Sequence, residues 1–85
     1  MPKSVFTDAY ASLLETLVAL RKKKGVTQVE LSKRLGKPQP FISYIERGER
    51  RLDVIEFYAI TKALGADPVE VFTALAKKLP KRVDI

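Results

Sequence analysis

Ten of the chain's sixteen lysines and arginines fall between Arg21 and Arg51: Arg21, Lys22, Lys23, Lys24, Lys33, Arg34, Lys37, Arg47, Arg50 and Arg51. Only Glu30, Glu46 and Glu49 oppose them, a local excess of seven positive charges in a chain whose total is +6. The remaining residues carry six basic and seven acidic groups, so the whole excess lies in the central third. A field concentrated this way suits a polyanion, most often nucleic acid; a merely solvated surface would spread its charge. Other chemistries are poorly served. With no histidine and no cysteine, the chain lacks the commonest general base, the commonest metal ligand and any thiolate. It has no glycine loop of the phosphate-cradling kind, and its carboxylates fall mostly where helix caps are expected. These observations argue against an enzyme and against a metal or other cofactor.

The chain's 85 residues give room for one small domain, taken as 1–85, with no internal repeat or linker. Apolar runs of only a few residues exclude a membrane span, and Asp8 and Glu15 interrupt any signal-peptide core. The absence of cysteine suits a reducing cytoplasm. The punctuation predicts five short helices and no strand, an all-α fold. Tyr10, Leu13, Leu14, Leu17 and Leu20 recur at helical spacing, so a first helix is expected from about Asp8 to Lys24, ended by Gly25. Thr27 with Glu30 reads as a capping box opening a second helix, with Leu31 and Leu35 as its stripe and Gly36 as its stop. The third helix carries Ile42 and Ile45 and ends at Gly48; Pro40 reads as its first residue, with Gln39 as a cap-like residue before it. Asp53 with Glu56 opens a fourth helix through Leu64. Asp67, Pro68 and Glu70 open a fifth, which runs to about Lys78 and leaves a tail over 80–85.

Helices two and three, joined by a few residues around Gly36, form the short glycine-linked pair of a helix-turn-helix over about 27–47. The stretch VTQVELSKRLGKPQPFISYIERGERRLDVIEFYAITKALGADPVEVF resembles the lambda-repressor/Cro (XRE-like) type of helix-turn-helix regulator. The likeness covers about residues 10–75. It rests on Gln28 opening helix two, Leu31 followed by the small Ser32, Leu35-Gly36 at the turn, Ile42 and Ile45, then Glu46-Arg47-Gly48-Glu49 and the ALGADP connection. The resemblance implies a compact five-helix, lambda-repressor-like DNA-binding domain. It implies a bacterial or phage-style transcriptional regulator, most simply a repressor, that places helix three (about 39–47) in the major groove.

Ile42 and Ile45 fix the core side of helix three, so the opposite face collects Pro40, Ser43, Tyr44 and Arg47, with Phe41 flanking the core. By the resemblance, residues at the start of this helix reach base edges: Gln39 and Ser43, with Pro40 and Tyr44 beside them. A glutamine offers a donor and an acceptor, which matches the N6/N7 edge of adenine. Thr27, Gln28, Lys37, Arg47, Arg50 and Arg51 are the candidate phosphate contacts, as is the Arg21–Lys24 run, whose cations could instead serve the first helix's own C-terminus. Glu46, at the edge of the core face, is expected to pair with an arginine of the same domain.

Regulators of this class work as dimers on half-sites one DNA turn apart, which implies a palindromic double-stranded operator. The fifth helix carries more apolar surface than one small core needs, and Val71, Phe72, Leu75 and Leu79 are the expected homodimer contacts. No small-molecule ligand is expected. A protein-interaction module such as an antitoxin is the alternative use of the same domain, which a long tail would favour; few residues follow Leu79.

Overall fold

The computed structural model describes residues 7–83; the first six residues assigned to the domain and the last two of the tail lie outside the described residues. Five helices follow in order: α1 (Asp8–Lys23), α2 (Gln28–Arg34), α3 (Phe41–Glu46), α4 (Val54–Ala63) and α5 (Pro68–Lys78), with no strand among the described residues. The all-α expectation therefore holds. Leu14 and Leu17 of α1, Leu31 of α2, Ile42 and Ile45 of α3, and Phe57, Ile60 and Leu64 of α4 meet in one core. α2 packs on α3, while α5 closes the other side of the molecule against α1 and α4.

The helix starts differ from expectation in instructive ways. Asp53 and Glu56 form the full reciprocal box: the Glu56 backbone N–H donates to Asp53 Oδ1 at 2.8 Å and the Asp53 N–H to Glu56 Oε1 at 2.9 Å. At α2 only half a box forms. The Glu30 N–H donates to Thr27 Oγ1 at 3.0 Å, but the Glu30 carboxylate turns to Arg34, one turn on, at 3.3 Å. At α5 the Asp67 carboxylate accepts from Val69 at 2.9 Å, so Glu70 closes no box. Thr7 caps α1 by accepting from the Tyr10 N–H at 3.1 Å, a cap the sequence reading passed over.

The start of α3 moves by one residue. Pro40 is the N-cap (φ −84°, ψ 4°), not the first helical residue, and Gln39 lies in the turn before it. The Phe41 N–H donates to the Pro38 carbonyl at 3.0 Å, closing a turn around Gln39 and Pro40 that leads straight into the helix. Pro40 has no side-chain hydrogen bond to offer. Its missing cap is supplied from α2: Ser32, fully buried, accepts from the Ile42 N–H at 3.1 Å. Gly36 (φ +68°) ends α2 in the left-handed conformation, with the Lys37 N–H donating back to the Ser32 carbonyl at 3.0 Å. One short glycine turn and one buried serine thus set the angle between α2 and α3.

Candidate nucleic-acid interface

α3 presents the face its spacing dictates. Ile42 and Ile45 are each about 1% exposed, whereas Gln39, Pro40, Tyr44 and Arg47 are exposed and Ser43 half-exposed. Each residue expected to read bases is therefore at least partly accessible, at the mouth or on the outer side of α3. Phe41, half-buried against the core, sits at its edge with two cations over its ring: Lys37 Nζ at 5.5 Å and Arg50 Cζ at 5.0 Å from the centroid. Arg47 lies over the Tyr44 ring at 5.4 Å and pairs with Glu49 at 3.2 Å. Arg51 lies over Tyr10 at 4.6 Å, and the Tyr10 hydroxyl accepts from the Leu52 N–H at 3.1 Å.

The far end of α3 is anchored by a buried ion pair. Glu46 takes a bidentate contact from Arg21, Nε to Oε2 at 2.7 Å and Nη2 to Oε1 at 3.0 Å, with both side chains about 10% exposed. Arg21 Nη1 also donates to the Val26 carbonyl at 2.9 Å, so one guanidinium ties α1, the α1–α2 turn and α3 together. The expected intradomain pairing of Glu46 is thus present. Arg21, however, is not a surface cation of the Arg21–Lys24 run; burial and Glu46 remove it from any outer partner, leaving Lys22, Lys23 and Lys24 exposed.

Gln28 joins this network by donating its amide nitrogen to Glu46 Oε1 at 2.7 Å. One amide hydrogen remains for an outer acceptor. Thr27 is exposed, and its hydroxyl oxygen serves the α2 cap while its hydrogen stays available. Arg34 pairs with Glu30 and donates to the Ala63 carbonyl at 2.8 Å, closing the end of α4.

Arg50 is the most constrained of the exposed cations. Its Nη2 sits 2.8 Å from Glu56 Oε2. The hydrogen bond to Glu56 raises the Arg50 pKa above its ordinary value, and the hydrogen bond from Arg50 holds the Glu56 carboxyl below its own. Sequence reasoning found Glu56 as a cap but missed it as the partner of Arg50. It also treated Ser32 only as a small residue. A hydroxyl beside a buried leucine, facing the next helix start, was the available signal.

On α5, Leu75 is about 3% exposed and belongs to the chain's own core, unlike the surface position expected of it. Val71 and Leu79 are half-buried. Phe72, about 54% exposed, stacks edge-on against Phe57 at 6.1 Å and lines a groove with Leu13, Leu52 and Val54. Val54, Ile55 and Tyr58 of α4 and Val69 of α5 are further exposed apolar residues.

Two short helices crossing at a glycine turn, the second showing a polar face ringed by cations, define a DNA-binding helix-turn-helix domain. The chain belongs to the XRE-type helix-turn-helix family, whose helix-turn-helix model matches residues 17–71. It is 44% identical over 54 residues to the uncharacterized HTH-type transcriptional regulator y4dJ of Sinorhizobium fredii, covering 64% of this chain and 70% of that one. Among solved structures it is similar to an XRE-family like protein from Pseudomonas syringae pv. tomato, with a TM-score of 0.80 at 44% identity over 85% of this chain and 88% of the other. The restriction-modification controller protein C.Esp1396I gives a TM-score of 0.76 at 28% identity, covering 85% and 94%. The clp gene regulator ClgR from C. glutamicum gives 0.73 at 25%, covering 91% and 100%. The family is one of DNA-binding transcriptional regulators, not of enzymes.

Proposed function

We propose that the chain is a sequence-specific regulator of repressor type that lays α3 in the major groove of a palindromic operator in a bacterial cytoplasm. The observation that carries this reading is the division of α3. Its two isoleucines are buried, while Gln39, Pro40, Ser43 and Tyr44 share an accessible face flanked by Lys37, Arg47 and Arg50. Gln39 in the turn before the helix presents its amide to an adenine edge, and Ser43 and Tyr44 contact neighbouring bases. Thr27, Gln28, Lys37, Arg47, Arg50 and Arg51 hold the phosphates on either side, fixing register without reading sequence.

The working unit in this reading is a homodimer. α5 packs away from the α2–α3 pair, and Phe72 with its neighbours Val54, Val69, Val71 and Leu79 supplies the apolar contact surface. The protomer measures 34 × 29 × 20 Å, so two copies in contact fit the ~34 Å repeat between successive major-groove faces on one side of DNA.

Selection of bound duplexes from a random pool is the direct experiment. A symmetric site is expected, and in Gln39→Ala one position of each half-site should lose roughly 1–3 kcal/mol of discrimination. An unchanged site preference in that variant would remove Gln39 from the reading set.

A further inference from the structure

Four arginines of the basic segment are paired with carboxylates, and the pairs differ in kind. Arg21–Glu46 is buried and structural. Arg34 is turned to the end of α4, and Arg47–Glu49 joins two side chains that are each more than half exposed. Arg50–Glu56 is distinct. The Glu56 side chain is only 24% exposed, and its other oxygen is fixed by the Asp53 N–H at 2.9 Å, so the carboxylate is aimed before any ligand arrives. The Arg50 side chain it holds is 45% exposed, with its guanidinium over Phe41, the first residue of α3. The remaining carboxylate oxygen accepts from a guanidinium as a phosphate oxygen does.

We propose that Glu56 is an intramolecular competitor of the DNA phosphate, holding Arg50 in the free protein and giving it up when a phosphate docks beside α3. The proposal rests on the DNA-binding reading above and adds to it a residue that sets affinity and salt dependence. When Arg50 moves to a phosphate, the duplex releases a counterion, but the uncovered Glu56 takes a cation back from solution. The two largely cancel. Arg50 then strengthens binding to every sequence less than its charge suggests, which limits retention on non-operator DNA.

Glu56→Gln tests this, because glutamine still serves as the third-residue acceptor of the capping box while losing the charge. Binding of wild type and variant to a short mixed-sequence duplex is measured across a salt series. Glu56→Gln should bind about two- to fivefold more tightly at low salt. Its log–log salt slope should steepen by up to about 0.9. The gain should vanish in an Arg50→Gln background, since the competitor acts only through Arg50. A gain that persists there means that Glu56 merely repels DNA, and overturns the proposal, as does an unchanged affinity in Glu56→Gln. The wild-type protein supplies an independent reading: the Arg50 Nε–H resonance should shift as duplex is added, and a resonance unmoved at saturation is a contrary result. A wild type that binds no duplex at all overturns the DNA-binding reading and this proposal together. Duplex binding with no effect of Glu56 overturns the competitor alone.

Discussion

Replacing Arg21 by methionine should be the most damaging single change in the described structure outside the apolar core. The methionine stem fills much of the volume of the arginine chain, so little cavity is made. What is lost is the partner of Glu46: two hydrogen bonds at 2.7 and 3.0 Å, and a third to the Val26 carbonyl at 2.9 Å. Glu46 would then sit about 10% exposed with only the Gln28 amide against it. Leaving one charge of a buried pair behind costs about 3–5 kcal/mol, because the desolvation penalty stays while the attraction goes. A domain of this size has a total stability of roughly 5–15 kcal/mol, so the variant should be much closer to unfolding. At roughly 4–8 °C per kcal/mol, the melting midpoint should fall by something on the order of 12–40 °C. The second half of the argument is the double variant. Arg21→Met with Glu46→Leu removes both charges, and its stability should recover most of the loss, since an apolar replacement of a buried pair is often neutral. Urea melts of the wild type, both singles and the double give the coupling energy directly. Two results would refute the reasoning: a single variant costing under about 1 kcal/mol, as for an exposed pair, or a double variant whose cost equals the sum of the singles.

Two further outcomes follow from the same contacts. Ser32→Ala leaves the buried Ile42 N–H without its acceptor and should cost about 1–3 kcal/mol in a urea melt, while Ser32→Thr keeps the acceptor but adds a methyl group to a fully buried position. Phe72→Glu places a charge on the proposed α5 contact while leaving Leu75 in the core; sedimentation should show a shift from dimer toward monomer with the helical content retained, and an unchanged mass would place the dimer contact elsewhere.

The fold was legible because its determinants are local. Leu14, Leu17, Leu31, Ile42, Ile45 and Ile60 stand at helical spacing, and glycines with left-handed backbones close the helices where the chain has Gly25, Gly36, Gly48 and Gly65. The outward face of α3 was legible for the same reason, since two isoleucines three apart leave only one direction for Ser43, Tyr44 and Arg47. What the sequence did not disclose were the long-range polar contacts. Arg21 meets Glu46 across 25 positions, and Arg34 reaches Ala63 across 29. No periodicity encodes those partners. The one-residue shift at Pro40 has a related cause. A proline without an N–H fits either the cap or the first helical position, and the choice is made by Ser32 on another helix, which already satisfies Ile42.

These contacts also change what the concentrated positive charge means. In the chain the ten cations between Arg21 and Arg51 look alike, but in the fold the arginines and lysines divide. Arg21, Arg34, Arg47 and Arg50 each hold a carboxylate, and Arg51 lies over Tyr10. Lys22, Lys23, Lys24, Lys33 and Lys37 are exposed, and of these Lys37 lies over the Phe41 ring. The division follows from chemistry: a planar guanidinium makes directed, two-pronged contacts, whereas an ammonium is a hydrated point charge. In the proposed complex the paired arginines fix the geometry around α3, and the exposed lysines add to the long-range field that draws a duplex in. The ten cations of the segment are thus an upper bound on the counterions that binding releases. The salt dependence of binding should report the smaller number of cations left over after the carboxylates have taken theirs.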